Sequence, residues 1–202
     1  MITKEQADAL AKAEGKIKGV GFKSDAEYVK NKIGPEGVQK LKAEMEKLGY
    51  PIDYEKVKAM DWYPVGVRVL NLEVMKDLFG WDDEEIKKVG HEAPKFSLIM
   101  RLIMKYFINI ERMSKLAPVV GYKKHFNIGE YEALECNLVE QYSSGRAKGL
   151  KILYDSAALT KYIEGYFTRG IEYVLPGKEV TTNSRKYIVN GIPHVEFRSS
   201  WK

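Results

Sequence analysis

EYEALECNLVEQYSSGRAKGLKILYDS, residues 130–156, is where the sequence changes its periodicity, and its reading decides the fold. Leu134, Cys136 and Leu138 alternate with Glu135 and Asn137, and Leu150, Ile152 and Tyr154 alternate with more polar neighbours, the period-two pattern of half-buried strands. The two runs predict an antiparallel pair over 130–142 and 149–156, with YSSGRAKG (142–149), polar and glycine-bearing, as the turn between them.

Downstream, AALTKYIEGYFTRGIEYV predicts a long helix over 157–174. KEVTTNSRKYIV and IPHVEFRSSW, separated by Asn190-Gly191, predict a second hairpin with Val195, Phe197 and Trp201 on one face. Upstream, helical signals dominate. A short helix near residues 4–14 gives way to the glycine-broken GKIKGVGF, and Ser24 or Asp25 is placed to cap SDAEYVKNKI. Pro35 and Gly49 bracket a helix whose Val38, Leu41, Met45 and Leu48 form one apolar stripe. VGVRVLNLEVMKDLFG closes on Gly80, and Asp82 caps DDEEIKKVGHEAPKF. FSLIMRLIMKYFINI (96–110) reads as a buried helix, too short for a bilayer. NIERMSKLAPVVGYKKHF is a helix expected to bend or break at Pro118 and Gly121. Helices followed by antiparallel hairpins give an α+β fold, a helical N-terminal part packed on a four-stranded antiparallel sheet.

The bulk composition narrows the function. With 202 residues, 45% hydrophobic and 30% charged, the chain suits one globular domain. Its net charge of +5 comes from lysines interleaved with acids, a solvated surface rather than a phosphate-tracking stripe, so nucleic acid is not expected. The single Cys136 excludes an internal disulfide and fits a reducing compartment. No apolar leader follows Met1, and the expected location is cytoplasmic, with no membrane span.

Order and local motifs together resemble the superfamily of H-NOX domains, 4-vinyl-reductase-like ligand-binding domains and TRAPP subunits. The resemblance runs from EYVKNKIGPEGVQKL through LEVMKDLFGWDDEEIKKVGHEAPKF to the terminal EFRSSW, over about residues 22–201, leaving 1–21 as a helical extension to a single domain of 22–202. It implies a binding or sensing domain for a small hydrophobic ligand, with signalling through a separate partner or a homodimer. The alternatives it leaves are a haem-based gas sensor and a non-catalytic TRAPP-like assembly protein.

Tyr142, Ser144 and Arg146 spell Y-x-S-x-R, the pattern that grips haem propionates in H-NOX proteins, but their expected place in the turn argues against that role. At the matching place, Tyr154 and Ser156 fill the first two clamp positions and Ala158 replaces the arginine. The resemblance makes His125 the candidate axial ligand. Candidate pocket residues are Trp62 and Tyr63, in a loop expected to close over the helices, with Met100, Met104, Phe107 and Met113 at helical spacing.

HEAPK lacks the second histidine of a metalloprotease, GKIKGVGF lacks phosphate-loop spacing, and no G-x-S-x-G elbow is present, so neither catalysis nor a metal centre is expected. Around Cys136 the expectation is a buried small thiol, with Glu130 and Glu132 facing away from Glu135.

Overall fold

The computed structural model describes residues 2–96 and 109–202. Helices α1 (Lys4–Ala11), α2 (Val20–Ile33), α3 (Pro35–Lys47), α4 (Val65–Phe79) and α5 (Asp83–Glu92) form the N-terminal layer, with strands β1 (Lys16–Lys18) and β2 (Trp62–Pro64) paired antiparallel within it. Helix α6 (Ile110–His125) leads into β3 (Glu130–Asn137) and β4 (Tyr142–Lys148). The short α7 (Lys151–Asp155), the long α8 (Ala157–Val174) and the hairpin β5 (Val180–Val189) and β6 (Ile192–Trp201) follow.

Helix α4 runs through the centre, with Val65, Val69, Leu70 and Leu72 fully buried, which is why its sequence is apolar on most sides. It also buries Arg68, whose guanidinium grips Asp25 of α2. Ser24 and Asp25 are therefore not caps: α2 begins at Val20, a turn earlier, and both residues are interior and buried. GKIKGVGF is not merely a break either, since it contains β1 and the start of α2.

The sheet is antiparallel in the order β3-β4-β6-β5, so the closing hairpin pairs with the earlier one through β4 and β6. Asn190 and Gly191 both have positive φ, as a tight two-residue hairpin turn requires.

The first hairpin departs from expectation. YSSGRAKG is not its tip but supplies β4, the turn lies at residues 138–141, and Lys151–Asp155, expected as strand, is helix α7. The physical reason is the size of the inward residues. Ser143, Gly145 and Ala147 face the core, and a Cβ on Gly145 would lie 2.2 Å from the Tyr131 hydroxyl. Aromatic bulk from neighbouring elements fills the space, so β4 needs no apolar alternation of its own.

A bulge between Ala133 and Glu135 turns Glu135, opposite Ser144, onto the same outward face as Glu130 and Glu132, against the expected alternation. Cys136 is partly exposed rather than buried. Helix α6 runs unbroken through Pro118 and Gly121. Among the described residues no helix is long and apolar enough to cross a membrane.

Candidate functional site

A cavity of about 110 Å³ lies between the helical layer, α6, α8 and the inner face of the sheet. Residues of β1, α2, α6, α8 and the strands β3, β4 and β6 line this slot.

Its walls are aromatic. Tyr122 stacks on Phe126 with ring centres 4.9 Å apart, and Phe167 meets Tyr131 at 5.6 Å and Phe197 at 5.2 Å, both edge-on. Burial raises the phenols of Tyr122, Tyr131 and Tyr162 above the ordinary tyrosine range, so they stay neutral.

Helix α6 supplies the polar atoms. Ser114, Pro118, Gly121 and His125 recur along one face and line the slot. An isolated bridge between Ile17 and Phe126 ties the end of α6 to β1, which brings Lys18 close to His125.

The His125 ring is held by Nδ1, 2.8 Å from the Gly121 carbonyl oxygen; since a carbonyl only accepts, Nδ1 donates. Nε2 is then the unprotonated nitrogen, enclosed and without a hydrogen-bond partner. Burial pushes the imidazole below its usual range, the Lys18 ammonium adds to this, and the Gly121 bond opposes it only in part. The side chain thus presents a lone pair to an apolar space. Ser114 Oγ, three turns back on the same helix, is likewise enclosed without a partner.

Behind the Tyr162 wall lies a buried polar network. Arg68 stacks on the Tyr162 ring at 4.6 Å, its Nη2 donates to Asp25 Oδ1 at 2.8 Å, and Asn71 Nδ2 donates to Asp25 Oδ2 at 2.7 Å.

Of the residues singled out from sequence, His125 and Met113 line the slot. Met100, Met104 and Phe107 lie outside the described residues. Trp62 and Tyr63 belong to strand β2, not to a loop; Trp62 is 40% exposed beneath the Lys18 ammonium, Tyr63 packs edge-on against Phe22, and neither lines the slot. Tyr154 sits on α7, and Ser156 is the N-cap of α8, its hydroxyl accepting from the Leu159 N–H at 3.0 Å; neither lines the slot.

Arg146 points to the opposite face of the sheet from the slot. There its Nε donates to Glu132 at 2.7 Å and its Nη1 to the Tyr187 hydroxyl at 3.2 Å. Among the described residues no cluster of metal-ligating side chains occurs.

No protein-family model matches the sequence, and no curated protein matches it. Solved structures do match. The Fe(II) unliganded H-NOX protein from K. algicida aligns with a TM-score of 0.63 and 15% identity, over 92% of this chain and 97% of that one. A point mutant of T. tengcongensis H-NOX gives 0.59 and 10%, over 92% and 98%. An oxygen-binding H-NOX domain related to soluble guanylate cyclases, in its oxygen complex, gives 0.56 and 11%, over 92% and 95%. At such identities the likeness is one of architecture, and the architecture of this chain is H-NOX-like.

Proposed function

We propose that the chain is a ligand-binding domain that takes a small, largely apolar molecule into the slot, where His125 Nε2 meets the ligand's polar or electron-accepting atom. The observation that carries this reading is the enclosed, partnerless imidazole nitrogen in an aromatic-walled space. Leaving a buried polar atom unsatisfied costs about 1–3 kcal/mol, which a ligand offering the complementary group removes. Apolar pockets with a few convergent polar atoms are the usual form of small-molecule sites. In this reading the signal leaves through a separate protein or a second copy of the chain.

Haem, which the H-NOX likeness brings forward, finds one of its needs here. A neutral imidazole whose other nitrogen is held by a backbone carbonyl suits an axial ligand. Room and counter-charge do not fit. The slot's 110 Å³ is on the order of a cavity that holds a single benzene ring, and Arg146 is on the far face of the sheet, tied to Glu132. A smaller molecule suits the slot as it stands.

The test is extraction of purified protein for mass spectrometry, together with titration of an apolar fluorescent probe into wild type and His125→Phe. A co-purifying apolar compound, or saturable probe binding altered in the variant, supports the reading. Empty protein that binds no probe overturns it. A Soret band that appears on adding haem and is lost in His125→Phe replaces it with the haem reading.

A further inference from the structure

We infer that the slot takes a neutral, one-ring aromatic compound whose hydroxyl or N–H donates to His125 Nε2, a ligand of phenol type rather than a hydrocarbon or an ion. This rests on the binding reading above and adds the class of ligand.

Size sets the first limit. About 110 Å³ is on the order of a cavity that takes up benzene, so one ring with a small substituent fills it. The rings around it suit an aromatic occupant. Tyr166 stands edge-on to His125 with ring centres 6.0 Å apart, and Tyr162 stacks on Tyr166 at 6.4 Å. All three line the slot. Edge-on and offset contacts with such rings favour a further ring over an aliphatic body of the same area.

Charge sets the second. Among the described residues that line the slot there is no carboxylate, and Lys18 is the only cation. Its ammonium is engaged elsewhere: it donates to the Met60 carbonyl at 2.6 Å and lies 3.7 Å from the centre of the Trp62 ring. Neither Met60 nor Trp62 lines the slot. A bound anion would compete with those contacts, and a bound cation would find only ring faces, which offer less than its burial costs.

The direction of the hydrogen bond sets the third. Nδ1 spends its proton on the Gly121 carbonyl, so the enclosed, partnerless Nε2 can only accept. A ketone or an ether would set lone pair against lone pair, and a hydrocarbon would leave the nitrogen as desolvated as before. A donor removes the deficit. Ser114 Oγ, the other partnerless atom of the slot, both donates and accepts and so does not choose between ligands.

Isothermal titration of the full chain with phenol and with toluene, which has nearly the same shape and no donor, tests this at neutral pH. The ratio of phenol affinity to toluene affinity is expected to fall at least fivefold from wild type to His125→Leu. A second readout needs no variant. In protein labelled with ¹⁵N-histidine, saturating phenol is expected to move the His125 Nε2 resonance upfield, as a hydrogen bond to an unprotonated ring nitrogen does, and toluene is not. A ratio equal in the two proteins, an Nε2 resonance unmoved by phenol, or tighter binding of benzoate or benzylammonium than of phenol overturns the proposed class and leaves the binding reading intact. Failure of phenol to bind wild type, shown folded by circular dichroism, also overturns it; the apolar fluorescent probe then decides whether the binding reading falls with it.

Discussion

His125 Nδ1 lies 2.8 Å from the carbonyl oxygen of Gly121, one turn back on α6; burial keeps the imidazole neutral, and this bond selects the tautomer whose Nε2 is left without a proton or a partner. Burial lowers the folded-state pKa from the ordinary 6.5. Below that value the unfolded chain takes up a proton that the folded chain refuses, so His125 makes stability fall as pH drops from 6.5 toward the depressed folded value. Asp25, pushed up to about 7 by burial against the pull of Arg68 and Asn71, acts in the opposite sense over an overlapping range. The difference between wild type and His125→Phe isolates the imidazole. Urea unfolding at a series of pH values is expected to show wild type losing stability relative to the variant on acidification.

The Asp25–Arg68 pair is wholly buried and joined at both oxygens, Nη2 to Oδ1 and Nη1 to Oδ2, each at 2.8 Å. Removing Asp25 strands a guanidinium that cannot shed its proton, whereas removing Arg68 leaves a carboxyl that takes up a proton at neutral pH. Asp25→Leu is expected to cost about 3–5 kcal/mol, Arg68→Met less, and the double replacement markedly less than the sum of the two single changes. A double-mutant cycle by chemical denaturation measures this. Because Arg68 stacks behind Tyr162, Arg68→Met is also expected to loosen the slot wall and weaken probe binding.

Helices α5 and α8 meet through glycine. A Cβ on Gly165 would lie 1.8 Å from the Lys87 carbonyl oxygen, and one on Gly90 would lie 1.9 Å from that of Tyr162. Rigid backbone stands on the other side in both cases, so neither contact can be relieved by a rotamer change. Gly165→Ala is expected to destabilise by at least the roughly 1–3 kcal/mol typical of overpacking. It also displaces the segment of α8 that carries Tyr162 and Tyr166, with a change in probe affinity as the second readout.

Elements whose ends carry local chemistry were legible from the sequence. Pro35 and Gly49 bracket α3, Gly80 closes α4 in the left-handed conformation, and Asn190-Gly191 turns the last hairpin, because each signal acts within a few residues. Strand β4 was not legible, since its inward positions are small for the sake of rings on other elements, with Tyr131 over Gly145. Asp25 resembled a cap because its true partner lies 43 residues away. His125 and Met113 could be named from helical position, whereas Ser114 could not: nothing local distinguishes a serine with a partner from one without. The recurrence of Ser114, Pro118, Gly121 and His125 along one face was the available signal.

Y-x-S-x-R can be tested directly. Strand alternation sends Arg146 to the outer face, where it joins Glu132 and Tyr187, and Tyr187 in turn donates to Glu196 at 3.2 Å. This is a surface network, so Arg146→Ala is expected to cost no more than about 1 kcal/mol. Probe affinity is expected to remain within twofold of wild type. A large loss of binding would mean that the guanidinium reaches the ligand, contrary to its position.

Ser114 distinguishes a residue kept for function from one kept for folding. Its hydroxyl is enclosed and unpartnered, so replacing it with alanine removes a desolvated polar atom and introduces a better helix former. Ser114→Ala is therefore expected to raise the stability of the unliganded chain, by about 1 kcal/mol. A structural serine would give the reverse, since a satisfied hydroxyl loses its bond on substitution. Thermal unfolding of ligand-free protein reads the sign. If the variant is less stable than wild type, the hydroxyl has a partner inside the protein and is not waiting for a ligand.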